Sequence, residues 1–118
     1  MAVNVYDTAH LLAGQIKQTE EYTEYQRLKT AAYEDSTNKA LLDELKRMQF
    51  KMQAKAASGE KADPEEMQKL MRISSLLQLN QDASAYLVAE FRLQKLLADI
   101  YKILGEVAGI DIDALTQA

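Results

Sequence analysis

Apolar residues recur every three or four positions along most of this chain, the spacing that lays one apolar face along a helix. Five helical stretches follow from it. The first, residues 5–18, carries Val5, Ala9, Leu12 and Ile16 on one line, with Asn4 as its cap and Asp7 in its first turn. Gly14 lies inside that pattern and predicts a close crossing by another helix. The second, residues 20–34, is capped by Thr19 and opens on Glu20 and Glu21. It gathers Tyr22, Tyr25, Leu28 and Ala32 on one side, with the tyrosines at the core edge, rings in and hydroxyls wet. The third, residues 37–57, follows Asp35 and Ser36 and runs its seam through Leu41, Leu45, Met48 and Met52, flanked by Leu42. The fourth, residues 64–79, begins at Asp63-Pro64-Glu65-Glu66, a cap, a proline in the first turn and a glutamate three residues on. It turns Met67, Leu70, Met71, Ser74 and Leu77 inward.

The last and longest helix, residues 83–107, has one seam through Tyr86, Ala89, Leu93, Leu96, Ile100, Ile103 and Val107. From Leu96 onward a second line opens beside it: Leu97, Tyr101, Leu104 and Ala108. A helix apolar on one line needs one partner, and a helix apolar on two adjacent lines sits between partners. Leu93, Leu96, Leu97, Ile100, Tyr101, Ile103 and Leu104 are therefore the candidate interface, covered by the rest of the chain or by a second copy of it.

Connections set the topology. Ser58 to Asp63, with Gly59 suited to a helix end, is a short turn that makes the third and fourth helices an antiparallel hairpin. Asn80-Gln81-Asp82 admits two readings. Either the helix breaks near Asn80, or one rod of about 43 residues and about 65 Å changes face midway. Val88 and Phe91 continue the line of the fourth helix for one turn. The break is the reading adopted. The fold expected is all-α: an antiparallel bundle of about five helices built on a long helical hairpin, one domain over residues 1–118 with a polar tail at 108–118, and dimeric.

Composition narrows the function. The 118 residues are 47% hydrophobic and 27% charged, ordinary for a soluble domain. A net charge of −4 speaks against a general nucleic-acid binder. No run of about 18 apolar residues is present, so no membrane span is expected. MAVNVYD lacks the basic and apolar regions of a secretory signal. The chain has no cysteine, which excludes disulfides, thiol nucleophiles and thiolate-held clusters, and agrees with a cytoplasmic location.

Candidate chemistry is sparse. His10 is the only histidine, without partners for catalysis or metal binding, and reads as a surface residue. There is no Gly-rich phosphate loop, no HExxH and no Ser–His–Asp or Cys–His set, so no catalytic, cofactor or metal site is expected. Asp111 and Asp113 are a very weak cation signal and better suited to capping a final turn. Met48, Met52 and Met67 suit core filling, with an adaptable binding groove as the alternative reading. Glu90, one carboxylate in the last helix, suits a salt bridge or an interfacial hydrogen bond and is the residue with the most unusual expected environment. Arg47, Lys51 and Lys55 stack in a line on the third helix, a stripe that suits either solvent or a polyanion such as RNA.

Several residues recur in the order of a known family: Val3, Tyr6 and Asp7, then Glu20-Glu21-Tyr22, Asp35, Gln49 and Gln53, Gly59, Glu65-Glu66 and Ala89-Glu90. On these the chain resembles the YlbF/YmcA family of small helical proteins from Gram-positive bacteria, in its YheA-like branch. The resemblance implies an all-helical, dimeric regulator rather than an enzyme, with partners in complexes that control competence, sporulation, biofilm formation or RNA maturation. The cysteine-held iron–sulfur clusters linked to such a complex have no ligands here. Two readings stand: a non-enzymatic cytosolic adaptor or regulator acting as a homodimer with protein partners, or an RNA-associated accessory factor using Arg47, Lys51 and Lys55.

Overall fold

The computed structural model describes residues 3–110. Five helices follow one another: α1 (Val5–Ile16), α2 (Glu20–Glu34), α3 (Ser36–Ala57), α4 (Pro64–Gln78) and α5 (Gln81–Ala108). Each begins on a short polar side chain that accepts a backbone N–H its helix would otherwise leave unpaired: Asn4, Thr19, Asp35, Asp63 and Asn80. The helix breaks at Asn80, as the adopted reading has it. Asn80 is extended there and accepts from the Ala83 N–H at 3.0 Å, so α5 starts two residues earlier than the apolar pattern places it.

Two helix ends close in the same way. Gly59 has φ 79° and Gly109 φ 70°, a left-handed conformation that residues with a Cβ disfavour. Past each glycine the chain donates back into the last turn, Glu60 N–H to the Lys55 carbonyl at 2.9 Å and Ile110 N–H to the Gly105 carbonyl at 3.0 Å. These bonds satisfy carbonyls the helix end would otherwise leave free.

The core gathers where α2, α3, α4 and the first half of α5 meet. Leu42, Leu77 and Tyr86 are its largest fully buried side chains, with Ala32, Leu45, Met48, Ile73 and Ala83 around them. α2 runs antiparallel to α5: Tyr33 near its end packs edge-on to Tyr86, and Glu21 at its start shares a furrow with Arg92 and Leu96. α3 and α4 form the expected hairpin.

Three expectations are corrected. Met67 and Met71 are exposed, and Ile73 is buried with Leu77, because α4 turns the line of Glu66, Leu70, Ile73 and Leu77 toward α3 and the core. Val88 and Phe91 do not continue the α4 line; both are exposed, because the break at Asn80 redirects α5 so that Ala83, Tyr86 and Leu87 face the core instead. Nothing crosses close to Gly14, and no residue of α1 is buried. Asp111, Asp113 and most of the polar tail lie outside the described residues.

The molecule is long and flat, 55 × 37 × 16 Å, with a radius of gyration of 17.4 Å. A compact chain of this length has a radius near 13–14 Å. Its accessible surface is 9006 Å², against about 6,500 Å² for a compact monomer of 13.3 kDa.

Candidate functional site

Glu90 does have an unusual environment. It lies one turn beyond Tyr86 on α5, and the buried Tyr86 hydroxyl donates to its Oε2 at 2.8 Å. Lys46 reaches in from α3, donates to the same hydroxyl and stands 3.2 Å from the same carboxylate oxygen. Its ammonium also lies 5.0 Å from the centre of the Tyr86 ring. Tyr25 and Tyr33 of α2 close the cluster, each with its ring centre 5.7 Å from that of Tyr86. Burial works against the charge on Lys46, and Glu90 more than offsets it, so the ammonium is held charged above its ordinary range. Burial and then the Glu90 carboxylate push the Tyr86 phenol far above the usual tyrosine range. A phenol that resists ionisation and a lysine that resists deprotonation are poor proton donors at neutral pH. The cluster ties α2, α3 and α5 together.

A second polar link holds the bundle's other end. Asn38 is buried, and its amide donates to Asn80 Oδ1 at 3.0 Å while that oxygen caps α5. Sequence spacing placed a helix break near Asn80 but missed Asn38. Likewise it marked Glu90 and missed Lys46, because partners about forty residues apart carry no spacing signal. The four-residue step from Tyr86 to Glu90 was the part open to inspection.

The basic stripe of α3 is occupied. Arg47 grips Glu44 with two nitrogens, at 2.6 and 3.0 Å. Lys51 and Lys55 both reach Glu66 of α4, at 2.8 and 3.1 Å, and Lys69 of α4 reaches Glu44 at 3.2 Å. The Arg47 and Lys69 hydrogen bonds hold the Glu44 carboxyl at about 2, well below the usual range, and Lys51 with Lys55 lowers Glu66. Lys51 and Lys55 thus bridge α3 to α4, while Arg47 pairs within α3. His10 is exposed on α1.

The candidate interface on α5 is partly covered. Leu93, Leu96, Leu97 and Ile100 are half-buried. Tyr101 is 41% exposed, Leu104 52%, Ile103 61% and Val107 88%. A separate furrow of about 500 Å³ runs between α2 and α5, floored by Leu28, Ala85 and Ala89 and edged by Glu20, Glu21, Glu24 and Arg92. None of the described helices is long and apolar enough to cross a membrane.

Set against known proteins, residues 5–107 match the family model described as control of competence regulator ComK, YlbF/YmcA. The chain belongs to the YlbF/YmcA family. Relatives within reach of it include a UPF0342 protein of Halothermothrix orenii, 39% identical over 100 residues and 85% of each chain. Another, from Symbiobacterium thermophilum, is 32% identical over 92% of this chain and 96% of its own. Among solved structures, a protein of unknown function (DUF964) from Bacillus stearothermophilus superposes with a TM-score of 0.75 at 17% identity, over 89% of this chain and 92% of that one. Bacillus subtilis RicA, solved in complex with RicF, superposes with a TM-score of 0.61 at 21% identity, over 92% and 96%. These likenesses fix the YlbF/YmcA fold for this chain, an all-helical one.

Proposed function

We propose that this YlbF/YmcA protein is a non-enzymatic cytosolic adaptor that works as a homodimer and docks further proteins, in regulation of the competence, sporulation or RNA-processing kind. The observation that carries the reading is the distal half of α5. Tyr101, Ile103, Leu104 and Val107 lie within one stretch of seven residues and are all open to solvent. A contiguous apolar patch of this kind marks a protein-binding surface. The working interface is Leu93, Leu96, Leu97, Ile100, Tyr101, Ile103 and Leu104. RicA, which shares the fold, is seen bound to another protein, and that supports a partner-binding role.

The test is a comparison of wild type and Leu104→Glu as baits in the producing bacterium. A defined partner set held by wild type and lost by the variant is the expected result. The same set recovered by both removes α5 from the function.

The RNA reading draws no support from Arg47, Lys51 and Lys55, whose charges already face Glu44 and Glu66. Single-stranded RNA titrated at low salt should show no binding that the triple Arg47→Gln, Lys51→Gln, Lys55→Gln variant loses.

A further inference from the structure

Tyr86, Leu93, Leu97 and Leu104 follow one line of α5, in steps of seven, four and seven residues. At about 100° per residue these steps keep all four within a narrow sector of the helix. The near end of the line is closed. Tyr86 is fully buried, packed on Tyr25 and Tyr33 of its own chain. The far end is open at Leu104, and Tyr101 opens beside it. Lys95, Asp99, Lys102 and Glu106 lie on the opposite side of the helix, where Lys95 and Asp99 pair with each other at 3.2 Å. The uncovered face, from Ile103 and Val107 through Leu104 to Tyr101, is thus broad and apolar and faces away from those charges.

We infer that a second copy of this chain covers it by antiparallel pairing of the distal halves of α5, about a two-fold axis between Ile100 and Tyr101. This rests on the self-association proposed above and specifies its geometry. Direction follows from the closed end. A partner helix running parallel would carry its own first half alongside Tyr86, into the space that Tyr25 and Tyr33 fill. A partner running antiparallel overlaps only the stretch from Leu93 to Ala108, and its body lies beyond the end of α5. Register follows from the extent of that stretch. Full overlap sets Leu97 against the partner's Leu104, and Leu93 against the partner's Ala108, bulky against small.

Surface area fits the same occupant. The chain exposes 9006 Å², about 2,500 Å² more than a compact monomer of its mass would. A stable interface needs about 800 Å² from each partner. That excess is spread over the whole elongated chain, α1 included, and leaves room for such an interface; in a two-fold pairing the same patch serves both copies.

The chain has no cysteine, so an engineered thiol reports alone. Tyr101→Cys and Leu104→Cys alter exposed positions and are made separately in the full chain. Each is oxidised at micromolar concentration, with mass measured by light scattering before oxidation. The pairing puts Tyr101 beside its own mate at the axis and separates the two copies of Leu104 by about 10 Å along the helices, beyond the reach of a disulfide. Tyr101→Cys should therefore cross-link into a covalent dimer and Leu104→Cys should stay unlinked. A dimer that links through Leu104→Cys, or through neither, overturns the antiparallel pairing and leaves self-association standing. A monomeric mass for both variants and for wild type overturns both.

Discussion

Lys46 of α3 and Glu90 of α5 stand 3.2 Å apart and share the hydroxyl of Tyr86 between them. The pair is only partly withdrawn from water, with the lysine side chain 36% exposed and the carboxylate 21%. Its main effect is to give a fully buried phenol two charged partners. A buried hydroxyl without partners would be costly, and one with partners locks the ring in a single orientation. Tyr86 in turn is where α2 meets α5. Tyr86→Phe keeps the ring and removes the hydrogen bonds, and should cost about 1–2 kcal/mol in urea unfolding. Tyr86→Ala also opens a cavity and should cost about 3–5 kcal/mol. Equal losses for the two variants would mean that packing on Tyr25 and Tyr33 contributes little.

Asn80 does two jobs through one oxygen, capping α5 and accepting the buried Asn38 amide. Asn80→Ala loses the cap, about 1 kcal/mol, and strands the amide, about 1–3 kcal/mol more. Asn38→Ala leaves the cap in place and should cost less. Denaturant unfolding of both single variants and the double checks this, and the double should cost less than the sum of the two.

Acid should loosen the α3–α4 hairpin first. Glu44, at about 2, and Glu66, lowered as well, bind protons less readily folded than unfolded. Their contribution is therefore complete above the ordinary carboxylate value of 4.5 and is lost as pH falls from there toward about 2. Side-chain signals of Met48 and Met52 followed by NMR in that window should change before those of Tyr86. Glu44→Gln with Glu66→Gln should flatten the dependence and weaken the hairpin at neutral pH.

The helices were legible in the sequence because each has its own cap and its own apolar period. Asp63-Pro64 marks the start of α4 in local chemistry, and the structure begins α4 there; near Asn80 the sequence shows the break, and α5 begins two residues before the position the apolar pattern gives it. What the spacing missed is rotation about the helix axis. Met67, Met71, Val88 and Phe91 satisfy a three-and-four period as well as Ile73 and Leu87 do, but only tertiary packing decides which line faces in. The long-range polar pairs, Lys46 with Glu90 and Asn38 with Asn80, were invisible for a related reason. Their partners are brought together by the hairpin, not by spacing. The basic stripe was correctly seen as a line, and its pairing with Glu66 needed the fold.

The central claim is that distal α5 is an interaction face, and sedimentation of the intact chain at micromolar concentration tests it most directly. The account predicts about 27 kDa, twice the 13.3 kDa of one chain, falling to the monomer value in Leu104→Glu with helicity retained. A wild-type protein that sediments as a monomer across that range would contradict it.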